Sequence, residues 1–167
     1  GQGLLEMRPR RGVRILPVDA NDMREIYEVL TELESLAAYK AARANLSPDD
    51  LAPLAHTIDR MEAALATEDR EAWAVADEAF HAELVRLGGN RRLEAIVAMM
   101  ADQVRRARAV TLWIRPLPVK SNDDHRIVYE AIRDGDAETA RSRHHAHRSH
   151  ASDVLAGLLG QHRLHQL

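Results

Sequence analysis

The side chains best able to do chemistry in this chain are imidazoles and carboxylates at helical spacing. Asp77 and His81 stand four residues apart, so on one helix both can face a single ion. Further on come Asp123-Asp124-His125 and a histidine-rich run containing His144, His145, His147 and His150. Neutral imidazoles with one carboxylate are a donor set suited to a borderline divalent cation. The chain has 9 histidines and no cysteine, which excludes thiolate zinc sites, iron–sulfur clusters, disulfides and cysteine nucleophiles.

Whether these groups can meet depends on which way their helices aim them. With an advance of about 100° per residue, Trp73, Phe80, Leu84 and Leu87 form one apolar stripe. Asp77 falls inside that stripe and His81 at its edge. His125 lies on the side of Val128 and Ile132. In the last helical segment Ala140, Ala151, Val154, Leu155 and Leu158 mark the inward face; His144 and His147 fall within it, His145 and His150 outside it. An ionised aspartate in a helical core is costly unless it is paired or metal-bound. The residues alone leave a plainer reading open, in which the histidines are satisfied core residues and Asp77 pairs with an arginine of the fourth helix. Four inward polar groups from three helices are harder to explain that way together.

The elements that must position them are helices. Leucine, alanine and isoleucine recur at helical spacing from about residue 22 to 45, and Ser47-Pro48-Asp49-Asp50 opens a second helix. Thr67 is a candidate cap for the third, Gly88-Gly89 its stop and Asn90 the cap of the fourth. Pro116 and Pro118 mark a linker, Ser121 or Asn122 opens a fifth helix ending at Gly135, and Asp136 opens a sixth running to about Gly160. The expected fold is all-α, an antiparallel bundle of about six helices over residues 21–167. Residues 1–20 read differently, as a short β-hairpin with strands Leu4–Met7 and Val13–Leu16 around a basic Pro/Gly turn.

Composition narrows the partners. A net charge of −3 and only 4% aromatic residues argue against a nucleic-acid-binding surface over the whole domain. No apolar run approaches the roughly 20 residues of a membrane span, so a cytoplasmic protein without membrane partners is expected.

The ordered motifs D-x-x-F-H at Asp77–His81, Gly89-Asn90, D-H-x-x-V-x-x-A-I at Asp124–Ile132, Gly135-Asp136 and the spacing from Ala140 to His147 resemble the FCD ligand-sensing domain of GntR-type bacterial transcription regulators, FadR-like branch. The resemblance covers about residues 22–150. It implies a metal held by Asp77, His81, His125 and His147, the groups already singled out on the stripes. The ion would be zinc, with nickel or manganese as alternatives. His144 stands where the family more often has an apolar residue. An octahedral ion with four protein ligands keeps about two positions open. The resemblance implies that these take water or a small organic acid. A cationic side chain should meet the acid's charge; helix four offers Arg105, Arg106 and Arg108, of which Arg106, beyond Gln103 and nearer the inward side, is the expected partner, while His144 either stands behind the ligands or competes with His147. It also implies a homodimer, and a hairpin that is the remnant of a winged-helix wing, with Arg8, Arg10 and Arg11 as DNA contacts. Operator DNA would be bound through a winged-helix domain largely absent from this chain. The alternative is a helical metal-dependent hydrolase.

Overall fold

The computed structural model describes the backbone of residues 5–8 and 12–15 and the chain from 19 to 162. Its body is an all-helical six-helix domain: α1 (Ala20–Ala42), α2 (Pro48–Ala66), α3 (Arg70–Leu87), α4 (Arg91–Thr111), α5 (Val119–Arg133) and α6 (Ala137–His162). Ahead of the helices, β1 (Leu5–Arg8) runs antiparallel to β2 (Gly12–Ile15), with Leu5 opposite Ile15 and Arg8 opposite Gly12. Arg10 and Arg11 lie outside the described residues, and of Arg8 only the backbone is described.

Local chemistry sets most helix ends. Asp19 caps α1 by accepting from the backbone N–H groups of Asn21 and Asp22. Ser47 and Asp50 form a reciprocal capping box at the start of α2. Asn90 caps α4 as its sequence suggests. Two expected starts move. Thr67 does not open α3: its hydroxyl donates back to the carbonyls of Ala63 and Ala64, so it closes α2. The chain turns at Glu68, φ 55°, and Asp69 caps α3 instead. Helix α5 begins at Val119, before Ser121 and Asn122, without a side-chain cap. Asn122 is not free to cap because its carbonyl oxygen accepts from Trp73 Nε1 at 2.8 Å, inside the core.

Helix α1 packs against α3, α4, α5 and α6. Two large apolar cores flank its middle, and Ala37, Val85 and Leu93 form a small third cluster. One gathers Leu54, Ile58, Met61, Trp73, Phe80, Leu84, Val128 and Ile132, with Ala38 from α1 and Ala140 from α6. The other gathers Met23, Tyr27 and Leu30 of α1 with Val104 and Ala107 of α4 and Leu155 and Leu159 of α6. Along α1, Glu34 falls between Leu30 and Ala38; along α6, His144, His147 and Arg148 fall between Ala140 and Leu155. A buried polar layer therefore separates the cores.

The α1–α3 contact depends on one glycine. A Cβ on Gly88 would lie 2.8 Å from the Ala37 Cα and 2.9 Å from its Cβ, so the backbones touch there. Gly88→Ala should destabilise the domain by about 1–3 kcal/mol, the usual range for overpacking. Denaturant unfolding measures this, and an unchanged midpoint would contradict the close approach.

Candidate metal centre

Asp77, His81, His125 and His147 do converge. Each is buried, and each offers a ligand atom within 4.8 Å of those of the other three. Helix α3 supplies Asp77 and His81, α5 supplies His125 and α6 supplies His147. His125 Nε2 lies 3.5 Å and His81 Nε2 3.7 Å from Asp77 Oδ1. The imidazole rings of His125 and His147 stand 4.4 Å apart, those of His81 and His147 5.5 Å.

The donor atoms have been removed from water without gaining protein partners. Asp77 Oδ1, both ring nitrogens of His81 and of His125, and His147 Nε2 are buried and make no hydrogen bond among the described residues. Leaving such groups unpaired costs about 1–3 kcal/mol each. A cation at their common focus would satisfy one atom of every residue, so the set fits a divalent metal on donor chemistry and burial.

Groups behind these residues tune them. The plainer reading of Asp77 is also partly realised: Arg108 of α4 forms an ion pair with it, but through Oδ2. Oδ1 is left facing the histidines. Burial pushes the Asp77 carboxyl upward, but Arg108 and then His81 outweigh it and hold the group well below the usual carboxylate range. His147 Nδ1 approaches Asp124 Oδ2 at 3.7 Å. The nearby His147 imidazole, opposed by partial burial and assisted by Lys120, lowers Asp124 to about 2. Burial drives His125 and His147 below the ordinary imidazole value, so both are neutral and able to ligate near pH 7.

His144 is buried but turns toward Glu34, with Nε2 3.1 Å from Oε2. The same oxygen lies 2.9 Å from His81 Nδ1 and 3.2 Å from Arg148 Nε. Arg148 is 2% exposed, and its guanidinium lies 4.5 Å from the centre of the Tyr27 ring. His145, as expected, stays at the surface, paired with Glu32.

Beside the centre lies a cavity of about 520 Å³ between α3 and α4, floored by α1 and α6. Ala74, Val75, Val85, Val97, Ala101, Val104 and Leu112 are among its walls; His81, Glu34, Arg108 and Arg148 also line it. From α4 it takes Arg105 and Arg108. Arg106, the arginine favoured from sequence, is half-buried and does not line it. Arg108 shares a face with the buried Val104 and Thr111, four residues before it and three after, whereas Arg106 is rotated away from that face. Arg108 is one of the three helix-four arginines the sequence offers, but Glu34 and Arg148 go unmarked there, although the signal that finds Asp77 also marks Glu34: it is a charged residue on the stripe of Leu30, Ala37 and Ala41.

The FCD domain family matches residues 25–150. The chain belongs to that family. It is an FCD domain, the kind found in GntR-family transcription regulators, and its buried His/Asp/Glu cluster is typical of the FCD metal site. FCD domains of this kind are non-enzymatic, which sets aside the hydrolase alternative. An HTH-type transcriptional regulator of Agrobacterium vitis, from the TAR-I ttuE-ttuC' intergenic region, is 39% identical over 85 residues, 50% of each chain. Another, from an unstable DNA locus of Streptomyces ambofaciens, is 28% identical over 146 residues, 87% of this FCD chain and 61% of that protein. The chain thus spans about half to three-fifths of the length of these relatives. Among solved structures, E. coli McbR/YncC superposes with a TM-score of 0.84 at 17% identity, covering 93% of this chain and 78% of that one. The metal-free FCD domain of TM0439 gives 0.66 at 21% identity, covering 86% and 97%. These two likenesses establish the fold. No described helix is long and apolar enough to cross a membrane.

Two outcomes follow. His147→Ala should abolish or strongly weaken binding of zinc, with nickel or manganese as parallel probes, whereas His145→Ala should leave it unchanged. Elemental analysis of dialysed protein and the melting shift on adding metal read both. The second concerns pH without metal. Burial pushes His144 down to about 3 and holds His125 and His147 below their ordinary value of about 6.5. The unfolded chain therefore binds more protons than the folded one below about pH 6.5. Stability should be full above that pH and fall progressively toward pH 3, with Asp77 and Glu34, both held below the carboxylate range, adding to the loss at the acid end. Denaturant unfolding across this range tests it, and a flat profile would contradict burial of neutral imidazoles.

Proposed function

We propose that this FCD domain senses a small carboxylate through a divalent ion held by Asp77, His81, His125 and His147, and that the bound acid alters DNA binding by an attached winged-helix domain. Zinc is the first choice of ion, with nickel or manganese as alternatives. The observation that carries the reading is the set of buried, unpartnered donor atoms at one focus. When bound, the ion would supply a positive centre with positions open to an oxygen donor.

Charge supports an anionic ligand. Around the centre, Glu34 and Asp77 are balanced by Arg148 and Arg108. A divalent cation then adds positive charge that an acid anion neutralises. His81 belongs both to the ligand set and to the cavity wall, so an acid in the cavity would meet the centre beside His81, Glu34 and Arg108. Arg108 therefore replaces Arg106 as the proposed guanidinium partner of the acid; His144 acts through Glu34. Binding there would engage α3, α4, α5 and α6 together. It can change the domain's conformation only to the extent that it favours one packing over another.

The paired strands Leu5–Arg8 and Gly12–Ile15 suit a remnant of a wing, with Arg8, Arg10 and Arg11 as its basic contacts to operator DNA. A homodimer fits the large apolar side chains left exposed on the adjoining helices α1 (Val29, Leu36) and α4 (Ile96, Met99). Sedimentation showing only monomer at high concentration would oppose it.

Calorimetric titration with acetate, malate and citrate tests the central reading. At least one acid should bind the metal-loaded chain and fail to bind the stripped one. Loss of a charge-assisted contact in Arg108→Ala should weaken that acid by roughly ten- to a hundredfold, as expected for about 1.5–3 kcal/mol. Arg106→Ala should leave it unchanged. Equal binding to loaded and stripped protein would mean that the acid is not a metal ligand.

A further inference from the structure

The second group of convergent ligating side chains, Glu34, His81 and His144, shares His81 with the first. Its chemistry differs. Arg148 is almost fully buried against Glu34, with Nε 3.2 Å from Oε2, so a cation is already present where a second metal ion would bind. A further divalent ion would be repelled by that buried charge. Glu34 is therefore free to do something else with the two imidazoles that reach it.

A histidine has two ring nitrogens, and the hydrogen bond made by one decides which atom is left for a metal. His81 Nδ1 approaches Glu34 Oε2 at 2.9 Å, short of an aligned hydrogen bond, while its Nε2 faces Asp77 Oδ1 at 3.7 Å and likewise makes no hydrogen bond among the described residues. If Nδ1 carries the proton, Nε2 presents its lone pair to the centre. Glu34 comes from α1, which supplies none of the four ligands, and stands 47 residues before His81 in sequence. It is held in turn by Arg148 and by His144 Nε2 at 3.1 Å, both on α6.

We propose that Glu34 is the positioning residue of the metal centre. Its carboxylate fixes His81 as the Nδ1–H tautomer with Nε2 directed at the ion, and His144 and Arg148 hold that carboxylate in place. The inference rests on the metal reading above and deepens it. It assigns His144 a definite part, as a donor to the carboxylate behind a ligand rather than as a ligand. It also places the link between cavity and ion at Glu34 and Arg148, which both line the cavity: Glu34 meets His81, and Arg148 meets Glu34.

Two measurements on the 167-residue chain test it. The first needs no metal. Long-range nitrogen–proton NMR of the stripped protein, with His81 assigned by comparison with His81→Ala, should show the Nδ1–H form in the wild type. Glu34→Ala should lose that form. A wild-type His81 protonated at Nε2 would overturn the proposal. The second is a zinc titration of wild type, Glu34→Gln, His81→Ala and the double variant, with circular dichroism confirming the helical fold of each. Glu34→Gln should weaken zinc by about 10- to 100-fold in the wild-type background, as loss of a carboxylate behind a metal-bound histidine does. It should add nothing in the His81→Ala background. An equal loss in both backgrounds, no loss in either, or two tightly bound zinc ions per chain would overturn it. Failure of the wild type to bind zinc, nickel or manganese would overturn the centre itself and this role with it, a result distinct from a wrong tautomer.

Discussion

The structure depends on a set of buried donors that the described residues do not satisfy. Asp77 divides its carboxylate between two tasks: Oδ2 meets Arg108, and Oδ1 is left among three imidazoles. Burying an unpaired carboxylate oxygen and several unpaired ring nitrogens would be a poor use of a small core, since each such atom costs free energy that apolar packing would not. The two apolar cores on either side hold that layer in place. The fold is best understood as two packed cores that position a polar seam.

That seam connects nearly every helix. The ligand set draws on α3, α5 and α6, Arg108 brings in α4, and Glu34 brings in α1. An ion held there would stabilise the packing of three helices directly and two more through their ion pairs. Coupling between ligand and output in such systems is typically about 1–3 kcal/mol, comparable with one charge-assisted hydrogen bond. In the proposed sensor, exchanging the partner of one guanidinium is therefore enough to bias the domain.

Much of the seam was legible in the sequence, because a polar residue on an apolar stripe is visible without coordinates. Asp77, His81, His125, His144 and His147 are marked that way, and the resemblance to FCD domains selects the same set without His144. Glu34 carries the same signal on α1 but has no chemical partner nearby in the sequence; its partners His81, His144 and Arg148 lie 47 to 114 residues away. Arg106 and Arg108 differ by about 200° around α4. The sparse buried face of that helix, Leu93, Val104, Ala107 and Thr111, gives the inward direction poorly until the packing is known. The caps at Thr67 and Asn122 were misread for a similar reason. A side chain that can cap a helix can also bond backward or across the core, and tertiary contacts decide which.

The most direct measurement of the central claim is X-ray absorption at the metal edge of the zinc-loaded chain, with and without the acid that calorimetry selects. The account predicts scattering from three imidazoles with oxygen donors completing the shell, and a change in the oxygen shell alone when the acid is added. A spectrum with fewer than three imidazoles in the wild type, or one that the bound acid leaves unchanged, would contradict it.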